Sequence, residues 1–409
     1  MKSISFDNTE NAFAYKTESQ LNKANFLFSA MRHPLLVKWG TKLAPWALKT
    51  GLPVGWLIRS TIFPQFVGGE TLEETAPVAK RLGEYEVKVI LDYGVEGGDE
   101  DEHNYDHACD EFIRVINYAS TQPNIPFMSI KVTGIARFGL LEKLDLSVDE
   151  NSGTLMKRFA KALESLTPEE SEEWQRVHAR MRKICTVAAE KNIGVLVDAE
   201  ETWIQDPVDV LTMLMMDQFN TTNAVVFNTL QLYRHDRLAF LDDSIEAAEK
   251  RNFVLGIKLV RGAYMEKERE RATENRYPSP IQPDKASTDR DFNAAVTHCI
   301  DHIGKVSVIV ASHNEDSNYL ATRLLQEKNL PLNHPHIHFS QLYGMSDHIT
   351  FNLAKAGCSV SKYLPFGPLK DVVPYLMRRA QENSSVAGQT SRELLLIRKE
   401  KTRRNSLTS

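Results

Sequence analysis

A chain of 409 residues and 46.4 kDa is long enough for one large α/β domain with extensions or for two ordinary domains. Hydrophobic content of 42% and charged content of 25% are those of a soluble globular protein, and a net charge of −5 offers no basic field for nucleic acid. The cysteines Cys109, Cys185, Cys299 and Cys358 form no Cys-x-x-Cys pair, which excludes a zinc ribbon or dithiol redox motif and fits reduced thiols in a cytoplasmic protein.

The N-terminal stretch "MKSISFDNTENAFAYKTESQ" has no apolar h-region, and Asp7, Glu10 and Glu18 speak against a transit peptide. No uninterrupted apolar run reaches transmembrane length. The segment Leu43–Phe66 is apolar and aromatic but broken by Pro and Gly. It reads as a packed helical arm, with peripheral membrane contact as the lesser alternative.

Short β-branched runs follow at Val87–Gly94, Phe127–Ile135, Gly194–Glu200 and Ala224–Tyr233. Four more lie at Phe253–Val260, Val306–His313, His336–Gly344 and Cys358–Phe366. Several are near-continuous apolar runs, the pattern of strands buried on both faces of a parallel sheet. Charged segments of helical spacing separate them, among them "EWQRVHARMRKICTVAAEKN" and "DRDFNAAVTHCIDHIGK". Eight alternations predict a (β/α)8, TIM-like barrel over residues 79–390, after a helical arm over 1–78. The basic tail 391–409, with "IRKEKTRRNSLTS", reads as disordered. A doubly wound sheet is the rival, but no G-x-G-x-x-G follows any strand.

In such a barrel the C-terminal strand ends carry the active site. Polar residues arrive there from nearly every strand: Asp92, Lys131, Asp198, Glu200, Gln231, Lys258, Arg261, Ser312, His313, Asn314, Lys362 and Tyr363. So many at one rim point to a ligand site. Past a Tyr-x-Pro-x-Gly-Pro turn, the last helix carries adjacent arginines, Arg378 and Arg379. Taken alone, such a pair is a solvated face. The alternative is a clamp on a small anion, since arginine suits bidentate carboxylate recognition. Glu382, four residues after Arg378 and three after Arg379, could brace either. "HPHIH" (His334–His338) places histidines on one strand face without a carboxylate or cysteine partner, so no metal site is assigned. His298 and His302, spaced i, i+4, read as a surface pair.

The motifs "FVGGETLEE", "LDYGVEG", "VDAEETW", "KLVRGAYMEKERERA", "ASHNEDS", "KYLPFGP" and "PYLMRRAQEN", taken together and in this order, resemble the proline dehydrogenase family over about residues 60–385. The form resembled is the single-function branch, because no aldehyde dehydrogenase domain follows in this sequence. The resemblance implies a distorted (β/α)8 barrel that holds FAD noncovalently, oxidises L-proline to Δ1-pyrroline-5-carboxylate and passes electrons to a membrane quinone. It implies catalytic roles for Asp198, near the substrate amine and the flavin, and for Lys258, which stands where several bacterial members have arginine. Arg378 and Arg379 would clamp the substrate carboxylate with Lys131, and Tyr264, Leu342 and Tyr363 would shape the pocket around the ring. Ala199, Gln231, Val260, Arg261, Gly262, Ala263, Ser312 and His313 would bind FAD, helped by Lys258, Lys285, Asn314 and Glu382. A pyrroline-5-carboxylate dehydrogenase is an implied partner, and a cytoplasmic location, peripheral on the inner membrane face, goes with the quinone.

Three rivals stay open. Hydroxyproline could be the substrate instead of proline. A Schiff-base aldolase also uses a strand-end lysine in a barrel, but needs no flavin. A proline-binding sensor would bind without turnover.

Overall fold

The computed structural model describes residues 4–33, 37–41, 43, 50, 54–94, 101–146, 155–385 and 389–408. Each of the eight β-branched runs forms a strand: β1 (Lys88–Tyr93), β2 (Phe127–Ile130), β3 (Gly194–Val197) and β4 (Val226–Gln231), then β5 (Leu255–Val260), β6 (Val306–Ala311), β7 (Ile337–Leu342) and β8 (Val360–Phe366). They order β1 to β8 in sequence and close into a barrel, and the pairings are parallel. The expected TIM-like fold is therefore present. Every residue of β3 and β4 is buried, as strands covered on both faces must be.

The chain falls into two compact units, residues 97–338 and residues 1–96 with 339–409. In the first, helices between the strands begin on strong local signals. The helix Pro168–Lys191 starts on a Thr167/Glu170 capping box with Pro at its first turn. Buried Asn220 shows how the barrel floor is knitted. Its amide donates to Val226 O at 2.8 Å and Val254 O at 2.9 Å, while its Oδ1 accepts from Val225 N and Val226 N. All its capacity is used, which is the condition for burying an amide.

In the second unit the arm is helical, with Thr9–Phe13, Glu18–Met31, Gly55–Ser60 and Phe63–Phe66. Residues 44–49 and 51–53 of the apolar segment lie outside the described residues. Ile58, Phe63 and Phe66 pack into the unit's core, whereas Phe26, Trp39, Trp56 and Leu57 are exposed. No helix among the described residues is long and apolar enough to cross a membrane.

The tail read as disordered is instead a helix, Gln389–Thr408. Its Leu394, Leu396 and Ile397 join one core with Phe13 and Phe28 of the arm and with Val372 and Leu376 of the helix Leu369–Ser385. Buried Glu400 accepts from Arg403 and Arg404, and Arg404 reaches on to Phe13 O and Lys16 O at 2.9 and 3.0 Å. Arg404 thus ties this basic helix to the start of the chain, more than 380 residues away in sequence.

Candidate active site

Two sets of predicted residues are brought together, one in each unit. In residues 97–338 the centre is an ion pair between Lys258 Nζ, from β5, and Asp198 Oδ1, just past β3. β4 lies between those strands in the barrel order, so the two side chains meet from non-adjacent strands. Lys258 is buried and Asp198 half-buried, which leaves the carboxylate as the more accessible partner. Lys131 directly follows β2 and is half-buried. Glu200 is committed to structure: it accepts from Thr133 Oγ1 at 2.8 Å, and its N–H donates to Gln205 Oε1 at 3.1 Å.

Past β5 the guanidinium of Arg261 is held on three sides. Nε donates to Asp289 Oδ1 at 2.7 Å, Nη1 to Ser312 Oγ at 2.7 Å and Nη2 to Ser317 Oγ at 2.9 Å. It also lies 4.3 Å from the Phe292 ring centroid. Burial pushes the Arg261 pKa down, with Asp289 opposing it. Burial would raise the Asp289 carboxyl, but hydrogen bonds from Lys285 and Arg261 outweigh it and hold that group below its usual range. Asp289, Ser317 and Phe292 were not singled out from sequence. The i, i+4 spacing of Lys285 and Asp289 was the available signal. Lys285 itself is exposed, and Asn314 is occupied in capping the helix Glu315–Glu327, accepting from Ser317 N at 3.0 Å.

Gly262 has φ of +127°, and a Cβ there would sit 2.5 Å from the Tyr233 ring. Only glycine fits such a place without strain. Gly262 and Ala263 are exposed, while Val260, Ala199, Tyr264 and His313 are half-buried. Gln231, the last residue of β4, is buried, and its Oε1 has no partner among the described residues.

In the other unit, Leu342 at the end of β7 is in register with Tyr363 of β8, and both are half-buried. The arginine pair on the helix Leu369–Ser385 is not a solvated face. Arg379 is buried, its Nη2 donates to Glu382 Oε1 at 2.5 Å, and its guanidinium lies 5.0 Å from the Tyr375 ring centroid. Its Nε has no partner among the described residues. Arg378 is half-buried. Lys362, read from sequence as a rim group, is fully buried instead. It donates to Met345 O at 2.6 Å, because alternation along β8 turns it to the face opposite Tyr363.

The remaining histidines make ordinary contacts. His336 Nδ1 lies 2.7 Å from Ile303 O, His338 packs edge-on to Phe127, and half-buried His298 meets Asp242 at 2.9 Å. No group of three metal-ligating side chains occurs among the described residues. All four cysteines are buried and unbonded to one another, and burial pushes the Cys109 and Cys358 thiols up to about 11 and about 12.

A family model described as proline dehydrogenase matches residues 76–392. The mitochondrial proline dehydrogenase 1 of Dictyostelium discoideum is 32% identical, over 87% of this chain and 67% of that protein. A hydroxyproline dehydrogenase of Xenopus laevis is 30% identical, over 96% of this chain and 88% of its own length. Among solved structures, proline utilization A from Bdellovibrio bacteriovorus, inactivated by N-propargylglycine, superposes with a TM-score of 0.67 at 20% identity. That superposition covers 80% of this chain but only 33% of the longer one, and it carries the fold alone. The chain belongs to the proline dehydrogenase family.

Proposed function

We propose that the protein uses noncovalently bound FAD to oxidise L-proline to Δ1-pyrroline-5-carboxylate and passes the electrons to a membrane quinone. The observation that carries this reading is Arg379. Arg379 is buried and paired with Glu382, yet its Nε lacks a partner among the described residues, so one N–H of this cation still calls for an acceptor. A carboxylate on a small ring meets that need, with Arg378 beside it and Lys131 as a third cation.

The chain's own residues suit the cofactor. The unpartnered Gln231 Oε1 can accept from an amide-like ring edge, and Arg261, fixed by Asp289, Ser312 and Ser317, is a rigid cation for a phosphate. Gly262 lets the backbone come close. Ala199, Val260, Ala263, His313, Lys285, Asn314 and Glu382 would complete that lining. Bound FAD supplies a hydride acceptor for the C–H bond next to the substrate nitrogen. Asp198, steadied by Lys258, would accept a hydrogen bond from that nitrogen. A ring nitrogen that has lost its extra proton can push electrons as the hydride leaves. The clamp, with Tyr264, Leu342 and Tyr363 around the ring, would hold the carbon in a near-attack pose.

Proline rather than hydroxyproline is proposed as substrate, because the Tyr363 phenol would crowd an added ring hydroxyl. The exposed Phe26, Trp39, Trp56 and Leu57 support a peripheral contact with a membrane, where the quinone resides. A pyrroline-5-carboxylate dehydrogenase would consume the product. The test is steady-state turnover of L-proline by purified protein with a soluble quinone as acceptor. Sustained product formation supports the reading and excludes a pure sensor. A protein that binds proline without turnover, or cleaves an aldol without flavin, overturns it.

A further inference from the structure

The buried charges left unused above gather at the turn after β7. The Lys362 ammonium donates to Met345 O at 2.6 Å and Leu342 O at 3.4 Å, and stands 2.9 Å from Asp347 Oδ1. Asp347 is equally buried; its Oδ2 accepts from the Tyr15 phenol at 2.7 Å and lies 3.5 Å from Lys16 Nζ. Next to it, Ser346 N donates to Oε2 of buried Glu393 at 3.2 Å, and His348 Nδ1 lies 3.6 Å from the same oxygen. Tyr15 and Lys16 come from the arm, and Glu393 from the helix Gln389–Thr408. Both ends of the chain thus converge on one turn.

That turn is strained at Ser346. Gly344 has φ of +80° and Ser346 φ of +50°, so the backbone enters the left-handed region twice in three residues. Gln65 clamps it, donating from Nε2 to Gly344 O at 2.7 Å. Unfavourable backbone persists only where the surroundings over-determine it. Stability alone does not require charges here, since an apolar pair of similar volume commonly does as well as a buried ion pair. What the charges add is geometry, because one ammonium fixes two carbonyls of the turn at once. The turn starts at Leu342, Tyr343 N donates to Tyr363 O at 2.9 Å, and Lys362 precedes Tyr363.

We propose that Asp347, Lys362 and Glu393 are positioning residues for the substrate pocket: they fix the turn 342–346 and the end of β8, and so set how Leu342 and Tyr363 meet the substrate ring. The inference rests on the pocket roles of Leu342 and Tyr363 proposed above. Through Glu393 it gives the terminal helix a part in shaping the pocket.

The test uses full-length holoenzyme in three forms: the double variant Asp347→Leu with Lys362→Met, and the single variants Glu393→Ala and Glu393→Gln. Thermal midpoint, kcat and KM for L-proline, and calorimetric Kd for cyclopentanecarboxylate are measured for each. The double variant is expected to melt within a few degrees of wild type. Its KM and Kd should both rise about tenfold or more, with kcat changing less, as a displaced pocket wall requires. Glu393→Ala should move the same constants, and Glu393→Gln should restore them, because its amide oxygen still accepts from Ser346 N. A folded double variant with KM and Kd within twofold of wild type overturns the proposal. If the double variant does not fold, the Glu393 pair decides, and constants unchanged in Glu393→Ala overturn it. A wild type that oxidises no proline overturns the proposed function, and this inference with it.

Discussion

Arg379 and Glu382 sit one turn apart on the same helix, and the buried Nη2 of Arg379 donates to Glu382 Oε1 at 2.5 Å. That contact uses Nη2, and Nε has no partner among the described residues. Removing one partner of a buried, hydrogen-bonded charge pair costs about 2–5 kcal/mol. Arg379→Met should therefore raise the KM for proline on the order of thirtyfold or more. Flavin content, read from the visible spectrum, should stay near wild type. Proline kinetics unchanged within twofold would return the arginines to a structural role.

The Asp198–Lys258 pair makes a second prediction. Asp198→Ala takes the carboxylate away from a buried ammonium, which costs about 3–5 kcal/mol of stability. Adding Lys258→Met should recover most of that loss in denaturant unfolding, yet leave kcat depressed on the order of a hundredfold. Recovery of both stability and turnover in the double variant would show that the pair is structural only.

Gly262 tests the cofactor side. Alanine there meets the Tyr233 ring at 2.5 Å and must adopt φ of +127°. Strain of about 1–3 kcal/mol should appear as a lower thermal midpoint together with weaker flavin retention on gel filtration. Wild-type protein precipitated with acid should release all its flavin to the supernatant. Flavin held in the pellet would contradict noncovalent binding.

Tyr363 tests specificity. An added hydroxyl that loses water without gaining a partner costs about 1–3 kcal/mol. Wild type should therefore favour proline over trans-4-hydroxyproline by about tenfold to a hundredfold in kcat/KM. Tyr363→Ser should narrow the ratio by lowering proline activity and relieving the crowding. A wild type that prefers hydroxyproline, or an unchanged ratio in the variant, rules Tyr363 out as the discriminator.

The barrel strands were legible because burial on both faces leaves a continuous apolar signature at every strand, as in "GVLV" of β3. Asp198 and Lys258 were legible as polar residues breaking such runs. Lys362 misled because a polar residue at a strand end was read as facing the rim, although period-two alternation from half-buried Tyr363 turns it away. The terminal helix was illegible for another reason. Its basic residues look like a solvated tail until Phe13 O and Lys16 O, at the far end of the chain, are there to receive Arg404. Ser317 and Phe292, which hold Arg261, carry no local mark of that role, since only the fold brings them to it.

The most direct measurement is the flavin spectrum of purified holoenzyme on anaerobic addition of L-proline. The oxidised flavin absorbance should bleach in proportion to protein and return when a quinone is added. A flavin spectrum that proline leaves unchanged, in protein that retains its cofactor, would contradict it.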